Sequence, residues 1–218
     1  MEGYEDEYDD YVYDDDVGEE EERGMHGDTL HTLHEEEESE ASNSELLGAM
    51  DSEVMSLRKA GQLEEALELM EKSLVIRIHD YGPGSNAVVE ACEGLTTGYN
   101  TLAMRLVEAE SYDTAYELLK KAEVLTDATG SLASVPDKRL KLAAITMNNL
   151  GCFYKRRNKL HAALHYLERA LEIEERTAAA ENPAGTHLNI CATLSELGRH
   201  QQALGYAKRA IEMMRGRE

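Results

Sequence analysis

Small side chains recur in one register four times along this chain: Val54/Ala66/Ser73, Ala103/Ala115/Ala122, Gly151/Ala163/Ala170 and Cys191/Ala203/Ala210. In each set the second residue follows the first by twelve positions and the third follows the second by seven, and every position but Val54 holds Gly, Ala, Ser or Cys. Seven residues make about two turns of an α-helix, so the second and third residues share one face of one helix. The first then falls on a preceding antiparallel helix. Small side chains at a crossing let two helix backbones approach closely. The register therefore predicts a stack of four helical hairpins, an architecture better suited to a binding surface than to a catalytic cleft.

Charge divides the chain before any helix is placed. Residues 1–45 hold 20 acidic residues and one basic residue, whereas residues 46–218 hold 24 acidic and 21 basic, so nearly all of the net charge of −22 belongs to the N-terminal segment. With few aliphatic residues, that segment cannot bury enough apolar area to offset chain entropy, and residues 1–44 read as a disordered acidic tail. Tyr4, Tyr8, Tyr11 and Tyr13 are interleaved with its carboxylates. Such a segment either docks on basic surfaces, here the late part of the chain, or simply solubilises. The acidity argues against nucleic acid and against anionic membrane as partners. No signal peptide or membrane-spanning run is visible. The three cysteines, Cys92, Cys152 and Cys191, fall in helical patterns and are odd in number. Structural disulfides are not expected, and a reducing cytoplasmic compartment follows, with cytoskeleton or cilium as variants of it.

From about Ser44 onward helical periodicity continues almost to the C-terminus. Helices are expected near 45–60, 62–80, 86–109, 112–127, 136–157, 160–178, 184–197 and 200–215, grouping into units near 45–80, 86–127, 136–178 and 184–215 within an array spanning 45–218. Gly61 and Gly198 break helices, Ser85 is placed to cap one, and Asn182-Pro183 starts another. The segment from Thr129 to Pro136 is expected to be the longest flexible connection. Equivalent alanines are separated by 49, 48 and 40 residues.

Residues 144–175 resemble a tetratricopeptide repeat (TPR), with Leu150-Gly151 and Tyr154 on the first helix, Asn158 at the turn, and Leu160, Ala163, Leu167 and Ala170 on the second. The unit from Asn189 to Ala210 is similarly clear. The unit from Leu102 to Ala122 is recognisable, and the unit from Leu57 to Ser73 has a poor first helix, which Val54 is expected to splay. The segment Ala66–Leu74 with Gly82-Pro83-Gly84, and the run Asn148-Asn149-Leu150-Gly151, are similar to the longer-repeat TPRs of kinesin light chains. The resemblance implies an all-α fold, a right-handed α-solenoid of about four hairpins, against the family's basic period of about 34 residues.

It also implies that the first helix of each hairpin lines a concave groove that takes peptides of partner proteins. The groove candidates carried over are Asn100, Thr101 and Met104, then Asn148, Asn149, Cys152, Lys155 and Arg156, then Asn189, Ala192 and Glu196. Asn149 and Asn189 occupy equivalent positions, two before Gly151 and Cys191. An Asn amide both donates and accepts, so these side chains either hold the backbone of an extended peptide or bridge neighbouring helices. Residues 138–218 carry 14 basic and 8 acidic residues and residues 46–137 carry 7 and 16, so the array is acidic early and basic late. An acidic peptide is one ligand class consistent with the Lys155-Arg156-Arg157-Lys159 cluster; the alternative is a solvated, glutamate-paired helix face.

No catalytic constellation is apparent. His161 and His165 have helical metal-ligand spacing, but Ala-Ala-Leu lies between them, without the glutamate of a zinc hydrolase. No catalytic, metal or cofactor-binding residue is expected, and no cofactor. The expected function is a non-catalytic protein–protein interaction adaptor; the alternative is a structural subunit of a larger ciliary, axonemal or cytoskeletal assembly. The last helix carries Ala207, Ala210, Ile211, Met213 and Met214, an apolar face that invites self-association.

Overall fold

The computed structural model describes residues 28–177 and 183–215, with side chains from Asn43 onward. Among the described residues there are eight helices and no strand: α1 (Asp28–Ala60), α2 (Leu63–Tyr81), α3 (Asn86–Glu108), α4 (Tyr112–Leu125), α5 (Pro136–Arg156), α6 (Leu160–Arg176), α7 (Pro183–Glu196) and α8 (His200–Arg215). Every break falls within a few residues of its expected place. The exception is the start of α1, whose backbone is helical from Asp28 rather than from about 45. Glutamate and leucine are good helix formers, and acidic residues near a helix N-terminus are favoured by its dipole. The remainder of the expected tail, residues 1–27 with their tyrosines, lies outside the described residues. The chain divides into two compact units between Ser39 and Glu40, and the second holds the array.

Within that unit α3 packs on α4, α5 on α6 and α7 on α8; α2, α4 and α6 each pack on the helix that follows, and α3 touches α5 as α5 touches α7. This is the stacking of an α-solenoid, in which the first helices of successive hairpins form one continuous wall. All four hairpins turn through one identical device. Gly61, Asn158 and Gly198 have left-handed backbone, with φ of 79°, 54° and 73°, and so does Glu110 in the second hairpin, at 62°. Each lies five residues before the conserved-register alanine. At each, the left-handed residue's N–H donates three residues back and the next N–H five residues back, for example Asn158 to Lys155 O and Lys159 to Tyr154 O. Those two bonds satisfy carbonyls that a helix end leaves open, and glycine does this at least steric cost. Asn158 tolerates the conformation; Glu110 holds it at a cost of about 1 kcal/mol.

The small-residue register is buried as a set. Ala66, Ala103, Ala115, Ala122, Ala163, Ala170 and Ala210 have no solvent exposure, Ser73 and Ala203 are nearly as enclosed, and Cys191 is half-buried. A Cβ on Gly151 would sit 2.5 Å from Leu167 Cγ and 3.3 Å from the Ala163 carbonyl oxygen, so that helix pair is as close as glycine permits. The α1 helix does not fray at Val54: it runs unbroken to Ala60, and Val54 is buried. The connection from Thr126 to Val135 is pinned rather than loose. Leu132 is completely buried among Val88, Val89, Cys92 and Leu142. The core lies between helix layers, with Val107, Leu119, Met147, Leu150 and Phe153 at its centre.

Candidate binding groove

The wall formed by α3, α5 and α7 presents the same register positions from each helix. Between α3 and α5 lies a recess of about 310 Å³, lined on one side by Thr97, Asn100, Thr101, Met104, Arg105 and Glu108 and on the other by Leu142, Ile145 and Asn149. Relative to the small residue (Ala103 or Gly151), Thr97 and Ile145 stand six before, and Thr101 and Asn149 two before. Met104 stands one after Ala103 and Glu108 five after it. Cys152 and Arg156 continue the last two rows on α5, and Asn189, Ala192 and Glu196 stand at the corresponding places on α7.

The asparagines meet one another across the wall. Asn149 Nδ2 donates to Asn100 Oδ1 at 2.8 Å, linking α5 to α3, and Asn189 Nδ2 donates to Asn148 Oδ1 at 3.0 Å, linking α7 to α5. Asn100 is 5% exposed, and its amide nitrogen donates to Thr96 O and to Thr146 Oγ1, both at 2.9 Å. Its two N–H groups are thus committed inside the wall, and it acts as a buried bridge between helices. Asn148, Asn149 and Asn189 are half-buried and each keeps donor or acceptor capacity beyond its bridge. Lys155 also bridges, reaching Glu196 Oε1 on α7 at 3.2 Å. Arg156 and Arg105 are exposed, with no ion pair among the described residues. Burial pushes the Cys152 thiol up against the opposing pull of the Lys155 and Arg156 charges, so it stays a neutral side chain on α5. Burial likewise raises Cys92, whose Sγ also interacts with Ser131.

The structure thus joins Asn100 and Asn149 between α3 and α5, and places Asn148, Asn189 and Lys155 in polar links between α5 and α7. Sequence reasoning missed Thr97, Arg105, Glu108, Leu142 and Ile145. Two of these lay one helical turn further back in a register already in hand, and stepping it by four residues would have found them. The arrangement offers amide groups, two unpaired guanidiniums and an apolar recess, which is the equipment of peptide recognition. His161 and His165 are both exposed on α6. Among the described residues no group of three or more His, Cys, Asp or Glu is placed to hold a metal ion, and no helix is long and apolar enough to cross a membrane.

Tetratricopeptide-repeat family models match residues 142–216 and 46–85. The chain belongs to that family, an α-solenoid scaffold whose general role is protein–protein interaction. Among solved structures it is similar to BtubC from P. vanneervenii, with a TM-score of 0.55 and 20% identity over 80% of this chain and 65% of that one. MamA from Desulfovibrio magneticus RS-1 gives a TM-score of 0.47 and 13% identity, covering 88% of this chain and 98% of that one. A Podospora anserina protein designated a kinesin light chain, with nearly identical TPR-like repeats, gives 0.44 and 15%, covering 87% and 95%. At such identities the likeness is one of fold. No curated protein sequence matches this chain. The second hairpin, α3 and α4, lies between the two matched segments, yet it shares their left-handed turn, their buried alanines and the groove wall.

Proposed function

We propose that this chain is a non-catalytic adaptor that binds an extended, acidic segment of a partner protein along the wall of α3, α5 and α7. The observation that carries this reading is the half-buried Asn149 at the mouth of an apolar recess. It has amide capacity left over after its bridge to Asn100, and it lies on the same helix as the unpaired Arg156. An extended peptide has unpaired backbone N–H and C=O groups in any sequence, and a spare carboxamide can satisfy one of each. Arg156 supplies a fork-shaped donor for a carboxylate. Asn100 contributes by holding α3 and α5 in place, and Asn148, Asn189 and Lys155 by holding α5 against α7.

Selection of random extended peptides displayed on phage tests it. Wild-type protein is expected to enrich acidic sequences, and the Asn149→Ala/Arg156→Glu variant to lose that enrichment while keeping its helical circular dichroism. Identical enrichment by both proteins would sink the assignment. The structural-subunit reading is favoured by a different observation, the apolar residues left bare at the two ends of the array.

A further inference from the structure

The ends of the array expose side chains that the internal junctions bury. On α6, Leu164 and Leu171, one and eight residues after Ala163, are buried under Ile190 and Leu194 of α7. The same positions on α8 are Leu204 and Ile211, which are 51% and 47% exposed. With Ala207 and Met214 they form a stripe at alternating spacings of three and four, one continuous helix face. The other end mirrors this. On α3, Leu95 is buried against Leu67 of α2. Its counterpart on α1, eight residues before Val54, is Leu46, 48% exposed, and Met50 and Leu57 continue that face half-buried.

Charge distinguishes the two bare faces. In the middle of the α1 face stands Glu53, where α3, α5 and α7 carry Leu102, Leu150 and Ile190. The α8 stripe is flanked by Lys208 and Arg215. At internal junctions the residue at the Glu53 position packs in one cluster with Leu119 or Leu167 of the preceding helix. On α8 the matching residue is only Ala207, which leaves room for a glutamate side chain beside Lys208. Two α8 faces brought together would oppose their own lysines and arginines. An α1 face on an α8 face opposes unlike charges, in step with an array that is acidic early and basic late.

We propose that the chain stacks head to tail on a second copy of itself, α1 of one array covering α8 of the next in the geometry of an internal junction. The inference is independent of the groove, which lies on another face. Such a contact uses different surfaces on the two copies, so it extends rather than closes, giving dimers and then longer stacks as concentration rises.

Sedimentation velocity over a wide concentration range tests it with two surface variants, Leu204→Glu/Ile211→Glu, which blocks the tail, and Leu46→Lys/Glu53→Lys, which blocks the head. Wild-type protein is expected to associate, about tenfold more weakly at high salt. Each blocked variant alone is expected to remain monomeric. An equimolar mixture of the two is expected to form a 1:1 dimer and nothing larger, because one good head and one good tail remain. Circular dichroism confirms that both variants keep the wild-type helical content. A wild-type monomer at all concentrations, association of the head-blocked variant alone, or a mixture that stays monomeric would each overturn the proposal.

Discussion

In the third hairpin Gly151 lets α5 approach α6 until no Cβ would fit, and hydrogen bonds from buried Asn100 to Thr146 and from half-buried Asn149 to Asn100 tie that hairpin to the second. In the first hairpin the equivalent place is filled by Val54, and among the described side chains of α1 only Leu47 and Val54 are buried. There the two helices are fastened by charge instead. Arg77 Nη2 on α2 donates to both carboxylate oxygens of Asp51 at 2.8 and 2.7 Å, its Nη1 donates to Ser73 Oγ at 2.9 Å, and Asn43 Nδ2 donates to Asp80 Oδ1 at 3.3 Å. One register thus closes in two ways, by backbone proximity where the helices are covered on both sides, and by polar links at an end where one side faces water. Polar links are the weaker fastening, because solvent competes for them.

The sharpest test contrasts substitutions at equivalent positions. Gly151→Val is expected to lose about 3 kcal/mol, because the added atoms meet Leu167 and the Ala163 carbonyl, whereas Val54→Ala should lose about 1 kcal/mol at the thinly packed end. Urea unfolding measures both, and equal losses would erase the distinction. Next, Asn100→Ala is expected to cost about 2 kcal/mol by removing the buried donor to Thr146 Oγ1 and the acceptor of Asn149 Nδ2. Asn149→Ala, at a half-buried site, should cost less than half as much in the same assay. Third, Arg77→Ala should lose about 1 kcal/mol, and the loss should shrink when thermal unfolding is repeated at high salt. A loss that persists undiminished in salt would show that the first hairpin is held by packing after all.

The smallest effect concerns pH. Burial works to raise the Glu71 carboxyl on α2, but hydrogen bonds from Lys121 and from the Tyr99 hydroxyl outweigh it and leave the group below its ordinary value of 4.5. A carboxyl depressed in the folded state stabilises above its unfolded pKa and loses that contribution as pH falls through the folded one. Acid titration of wild type below pH 4.5 should therefore remove about 0.3 kcal/mol that Glu71→Gln does not show, a small figure because the pair is partly solvated. Burial raises Glu174, which also accepts a hydrogen bond from Thr186, so its contribution has the opposite sign and favours the fold as pH falls toward the unfolded value.

Much of this architecture was legible in the sequence, for reasons particular residues make plain. Ala66, Ala115, Ala163 and Ala203 announce the second helix of each hairpin because a close crossing admits little else. Gly61 and Gly198 announce turns because a left-handed residue is cheapest as glycine. Glu110 hid the same turn by occupying it with an ordinary side chain. The groove was legible as a row of positions, since helical register repeats, but not as a set of roles. Asn100 and Asn149 look alike in sequence. One is a saturated bridge and the other keeps capacity for a ligand because of burial, which depends on how far each helix is staggered against the next. The same holds at the chain's last helix. Its apolar residues were visible as a pattern, but Ala210 proves buried against its own hairpin, while Leu204, Ile211 and Met214 face outward.

The chain's local periodicities, about 3.6 residues per turn and twelve then seven between small residues, determined that it folds as stacked helical hairpins and where each hairpin turns. Those quantities are properties of one or two helices and need no knowledge of the rest. Only the tertiary structure decided that Leu132 pins the long connection, that the asparagines meet across helices, and that the two ends are left bare. Each of these depends on which third element covers a given face, and that is settled by stacking rather than by any signal within the segment itself.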